Sequence, residues 1–167
     1  MNIILQAEIK KISSKETELK KRTKKICEYS LRLYDDMSLI FKQLKNSLNY
    51  IYKRNCLNFF FRFLKDKNYK SFLEKFLKDK DNLIIILNFM KCEDAGIRFE
   101  AFLLLTIFLN NFKKIKAKDV RTILIKNCVQ LEKIVSMIKV EEYDQLNEYK
   151  VNIQVLSDII FGLSSYL

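Results

Sequence analysis

A chain of 167 residues with no proline and only two glycines, Gly96 and Gly162, lacks the residues that reverse strands, and sheets are excluded on that ground. With 49% apolar and 31% charged residues the composition suits amphipathic helices packed in one domain, so the expected class is all-α. The formal charge of +11 favours acidic partners such as nucleic acid, an anionic membrane or an acidic peptide, although Lys, Asn, Ile and Phe abound together as A/T-rich coding would produce.

Residues 1–26 hold eight basic and three acidic side chains with weak periodicity, and are expected to be a basic N-terminal extension or cap on a helical domain over 27–167. Ser13 and Glu16 have the spacing of a capping box. A first long helix is expected from about Lys24 to Lys45, carrying Ile26, Leu33, Met37, Ile40, Phe41 and Leu44. Asn46-Ser47 then offers a break and a fresh N-cap.

The helix expected from about Leu48 to Lys65 is apolar on two strips. Leu57, Phe60, Phe61 and Leu64 form one; Phe59 and Phe63 form the other. Arg54, Asn58, Arg62 and Lys65 occupy the remaining sector. Such a helix should be sandwiched between neighbours and expose one polar strip, as the middle helices of stacked repeats do.

Asp66-Lys67-Asn68 is a turn, and a short helix follows over Ser71–Leu77 with Phe72, Leu73 and Phe76. Lys78 to Asn82 breaks it and caps the next helix, which sets Leu83, Leu87 and Met90 on one face. Asp94 can cap an amphipathic helix from Ala95 to about Asn110, with Ile97, Ala101, Leu104, Leu105 and Phe108 at helical spacing. Asn110 to Lys118 is a basic loop. Two longer helices close the chain. One carries Leu124, Cys128, Leu131, Val135 and Ile138; the other carries Leu146, Tyr149, Ile153, Leu156, Ile160 and Leu163. Seams of so few heptads dock within the molecule rather than dimerise.

No enzyme is indicated. Histidine is absent, removing the usual general base and the commonest zinc ligand. There is no Gly-rich phosphate loop, EF-hand pattern or nucleophile elbow, so catalytic residues, metal, cofactor and small-molecule substrate are all expected to be none. Glu141, Glu142 and Asp144 form a surface acidic cluster suited to capping. The cysteines Cys27, Cys56, Cys92 and Cys128 contain no C-x-x-C pair and are expected as free, core-type thiols. Met1 to Ala7 is too short for a signal peptide, and Leu83 to Leu87 falls far short of a membrane span. The expected location is the cytoplasm, with no membrane partner.

One segment carries more information than the rest. Lys91-Cys92-Glu93-Asp94-Ala95-Gly96-Ile97, continuing into Arg98-Phe99-Glu100-Ala101-Phe102, resembles a hallmark of the Mo-twenty-five-like scaffold proteins, also called the calcium-binding protein 39 family. The likeness runs from about Glu28 to Ile159 and is strongest over Asn49–Leu131. Tyr34-Asp35, Asn49-Tyr50 with Lys53-Arg54 and Leu57, Asn68-Tyr69, Asn82-Leu83 with Asn88, and Ile123 to Asn127 resemble family positions in the same order.

The resemblance implies an armadillo-like, right-handed helical-repeat stack, here a truncated solenoid matching only the family's C-terminal half. It also implies a non-catalytic adaptor. Members grip sterile-twenty-type protein kinases and pseudokinases on a concave face, hold them closed and active, and take a Trp-Glu-Phe tail in an apolar pocket. The concave contacts fall on Tyr50, Arg54, Asn58, Lys67 and Tyr69; the tail pocket falls on Leu87. Asn58 replaces a family Lys, Tyr69 a Phe, and Lys67, after a one-residue deletion, an Arg whose bidentate contact Lys does not reproduce. Leu87 for Met keeps apolar volume, so peptide binding is better preserved than kinase activation.

A stack cut at this point exposes the apolar face of its first repeat, which residues 1–26 are expected to cover through Ile3, Ile4, Ile9 and Ile12. A second reading of the charge is binding to RNA or a ribonucleoprotein surface through Arg54, Arg62, Lys65, the 113–118 loop and the N-terminus.

Overall fold

The computed structural model describes residues 22, 25, 29, 32–136 and 153–166. The expected capping box at Ser13, the cap residues Ile3, Ile4, Ile9 and Ile12, and the seam residues Ile138, Leu146 and Tyr149 lie outside them. Among the described residues there is no strand. The helices are α1 (32–43), α2 (Tyr50–Lys65), α3 (Lys70–Phe76), α4 (Lys80–Phe89), α5 (Ala95–Asn110), α6 (Lys118–Lys126), α7 (Cys128–Ser136) and α8 (Ile153–Ser164).

Local chemistry sets most boundaries. The side chains of Asn49, Asp79 and Asp94 accept from the backbone N–H of Tyr52, Asp81 and Ile97, each at 2.9 Å, so three helices open on a polar cap. The cap expected at Asn46-Ser47 is displaced to Asn49. Ser47 is extended, its hydroxyl accepts from the Asn49 N–H at 3.2 Å, and Leu48 is left outside the helix and fully exposed. On α1 the buried side is Tyr34, Ser38 and Phe41, continued by Leu44 in the 3-10 turn after it, whereas Ile40 faces outward, against the expected pattern.

The helix expected across Leu124 and Cys128 is two helices. Asn127 ends α6 with its side-chain amide donating to the Ile123 carbonyl at 2.8 Å, competing with helix continuation. Asn111 ends α5 in the same way on Ile107. Leu124, Cys128 and Leu131 are buried all the same, because the bend keeps them on the core side.

The sandwiched helix is α5, not α2. Every residue from Glu100 to Leu109 is buried, since eight consecutive residues from Phe102 carry a single hydroxyl, Thr106, which bonds the Leu103 carbonyl at 2.7 Å. In α2 the strip Leu57, Phe60, Phe61 and Leu64 is buried as expected, but Phe59 stays 51% exposed. Edge-on ring contacts join four helices: Phe41 to Phe60 at 4.8 Å, Phe41 to Phe76 at 5.2 Å and, tilted, Phe76 to Phe108 at 5.8 Å. Buried Asn82 ties α4 to α1 and to the end of α3, donating to the Tyr34 hydroxyl at 3.3 Å and the Phe76 carbonyl at 3.2 Å.

α2 and α5, both 16 residues long, run parallel: the first turn of α2 meets the first turn of α5, and the next turns meet in register. α8 also packs on α5 and is backed by α7, with Leu156, Ile160 and Leu163 buried. A row of α2, α5 and α8 with the remaining helices behind it is a helical-repeat stack.

Candidate partner-binding site

The row leaves one polar face between α2 and α5. Tyr50, Arg54 and Asn58 recur every four residues on α2, so helical periodicity alone sets them on one side. Opposite them α5 supplies Glu100, a carboxylate left 4% exposed in an otherwise apolar helix. Asn58 donates its side-chain amide to Glu100 Oε2 at 2.9 Å, and Arg54 Nε lies 3.7 Å from Glu100 Oε1. The two oxygens are thus divided between a neutral donor and a cation, which meets the requirement that a buried charge be paired.

The Arg54 side chain is still half exposed, so its guanidinium is held from inside and reachable from outside. Tyr50 closes the end of the site. A Cβ placed on Gly96 would stand 2.7 Å from the Tyr50 hydroxyl, so the absent side chain leaves room for that group where it lies, while at 3.4 Å from Arg54 Nε it would make only ordinary contact. Tyr50, Ile51, Arg54, Asn55, Asn58 and Glu100 line an open cavity of about 290 Å³.

The other expected contact residues lie elsewhere. Lys67, exposed in the turn after α2, lines a separate groove with Lys70 and Lys114. Tyr69 stacks on Phe63 with ring centroids 4.1 Å apart and is half buried. Leu87 is half buried on α4 against the core and lines neither of these cavities. Tyr50, Arg54 and Asn58 are therefore brought together, and Lys67, Tyr69 and Leu87 are not joined to them by a shared cavity.

Glu100 is the site residue that sequence reasoning passed over. Its signal was present: a lone acid within an apolar stretch has to be paired, and the polar strip of another helix is where a partner would come from. The hallmark arginine, Arg98, has a structural task instead. Its guanidinium donates to the carbonyls of Cys92 at 2.8 Å and Glu93 at 2.6 Å, fixing the turn that delivers Asp94 and Gly96. Among the described residues no His, Cys, Asp and Glu cluster could hold a metal, and no helix is long and apolar enough to cross a membrane.

A family model described as Mo25-like matches residues 10–159. No curated protein matches the chain.

Proposed function

The chain belongs to the Mo25-like family, and on that premise we propose that it is a non-catalytic, cytoplasmic adaptor that binds a sterile-twenty-type kinase or pseudokinase. The contact face is the α2 strip of Tyr50, Arg54 and Asn58, with Leu87, at a separate place on α4, receiving an apolar Trp-Glu-Phe-type tail.

The observation that carries the reading is the anchored, half-exposed Arg54 beside Tyr50. Aromatic residues and Arg are enriched where proteins meet, and a guanidinium paired with Glu100 at 3.7 Å on its inner side still presents its outer side to a partner. Asn58 in place of the family's Lys donates to Glu100 instead of offering a second cation, which narrows the charged contact to Arg54.

Two variants test the two halves. Leu87→Asp is expected to abolish binding of a fluorescent peptide ending in Trp-Glu-Phe, read by anisotropy, with far-ultraviolet dichroism unchanged. Arg54→Ala is expected to reduce co-purification with a sterile-twenty-type pseudokinase domain while leaving peptide binding intact. Wild-type affinity of Leu87→Asp for the peptide would reject the pocket; wild-type recovery of the domain by Arg54→Ala would reject the face.

A further inference from the structure

The lysines of the α2–α3 turn and of the 111–116 turn are far apart in sequence but converge on one groove of about 620 Å³. Its rim carries Lys65, Lys67, Lys70, Lys78, Lys114 and Lys116 against two acids, Asp66 and Glu74. One of those acids is occupied, since Asp66 accepts from the Asn68 N–H at 2.9 Å. Among the described residues no carboxylate lies within ion-pairing distance of Lys67, Lys70, Lys78, Lys114 or Lys116. Elsewhere lysines are neutralised in place: Lys42 meets Asp79 at 2.9 Å, and Lys80 meets Asp119 at 3.8 Å.

A second hollow of about 240 Å³ shares Leu64, Lys65, Leu73 and Asn111 with the groove and prolongs it towards Thr106 and Asn110. Of the floor residues, Leu64, Leu77 and Ile115 are 2%, 6% and 4% exposed, and Leu73 is half buried. What a ligand meets is a set of ammonium groups above aliphatic stems, with the exposed Asn110 side chain at the far end. Six cations against two acids leave a net positive potential along the trough.

We propose that this groove is a binding channel for the sugar–phosphate backbone of single-stranded RNA. Lysine acts on phosphate as a point charge and needs no fixed geometry, which suits ammonium groups spread over two rims. No exposed ring lines the groove, so bases have no stacking platform and recognition is of charge, without sequence preference. The surface is separate from the Tyr50–Arg54–Asn58 face, so either can fail alone.

The test uses the full chain and a fluorescein-labelled twelve-nucleotide oligouridylate, followed by anisotropy from low to high salt. Each phosphate neutralised contributes about −0.7 to the slope of log affinity against log salt, so a slope of about −3 to −4 is expected. The triple variant Lys67→Glu/Lys114→Glu/Lys116→Glu should lose at least about tenfold in affinity and flatten the slope by about 2. Lys91→Glu, outside the groove, should change affinity less than about twofold. The proposal is overturned by absence of low-salt binding, by a salt-independent affinity, or by equal losses in the triple variant and three charge reversals outside the groove. Tighter binding of polyglutamate than of the oligonucleotide would also overturn it, in favour of an acidic protein partner.

Discussion

Two residues show how a single side chain is made indispensable by what surrounds it. Glu100 is nearly sealed from water, and its negative charge is tolerable because Arg54 and Asn58 share its oxygens. Glu100→Gln keeps an acceptor for Asn58 but removes the attraction to Arg54, and is expected to cost about 1 kcal/mol in urea unfolding; Glu100→Ala adds a cavity and should cost about 3 kcal/mol. Equal losses for the two would mean that volume, not charge, holds the site together. Tyr34 carries a different consequence. Burial pushes its hydroxyl pKa above the ordinary 10.0, against the hydrogen bond from Asn82, so the neutral phenol is favoured in the fold. The resulting stability is complete below about pH 10 and is lost as pH rises through the raised native value. Lys42, raised by its hydrogen bond to Asp79, acts in the same direction from about 10.5. Thermal melts should therefore be level approaching pH 10 and fall above it. Tyr34→Phe should make that fall shallower while losing about 1 kcal/mol at neutral pH, where Asn82 forfeits a partner.

Among the elements, helix ends are more telling than helix middles. Asn111 and Asn127 share one device, a side-chain amide on the carbonyl four residues back, with the backbone near φ −100° and ψ 5°. At Asn127 it converts what periodicity presents as one helix into α6 and α7, so that α7 can turn to meet α8. Asn127→Ala is expected to lower unfolding free energy by about 1 kcal/mol with helix content unchanged, measured by dichroism in urea. A gain in helicity with unaltered stability would show that the bend is indifferent to its amide. Helix starts were easier to anticipate: Asp94 is the expected cap of α5, and the cap of α4, Asp79, falls within the expected 78–82 segment. Asn49 was missed in favour of Ser47 because both are good caps, and only the extended course of 47–49 separates them.

For the whole molecule the decisive feature is that α5 belongs to every layer. It packs on α2, α4 and α8, so its side chains bear on the entire stack rather than on one repeat. Phe108→Ala should cost about 3–5 kcal/mol and lower the melting temperature of the domain as one transition, whereas Phe59→Ala, on an open flank of α2, should cost under about 1 kcal/mol. Two separate transitions in Phe108→Ala would show that the repeats fold independently. The same layering produces the two surfaces of interest. In-register packing of α2 on α5 brings Glu100 beneath Arg54, and the close of α5 brings Lys114 and Lys116 across from Lys67.

The helical class was legible from the amino-acid sequence, because apolar spacing and the scarcity of Gly and Pro report directly on backbone preference. So were the buried strip of α2, the span of α5, the polar strip that carries Arg54 and Asn58, and the resemblance carried by residues 91–102. All of these depend on neighbours a few positions apart. Only the tertiary structure decided that α5 rather than α2 is enclosed, that Glu100 is the counter-charge of the candidate site, that Lys67 and Leu87 stand away from it, and that lysines from two distant turns share a groove. Pairings across more than forty residues depend on how helices are laid side by side, and periodicity within one helix carries no record of which helix lies opposite.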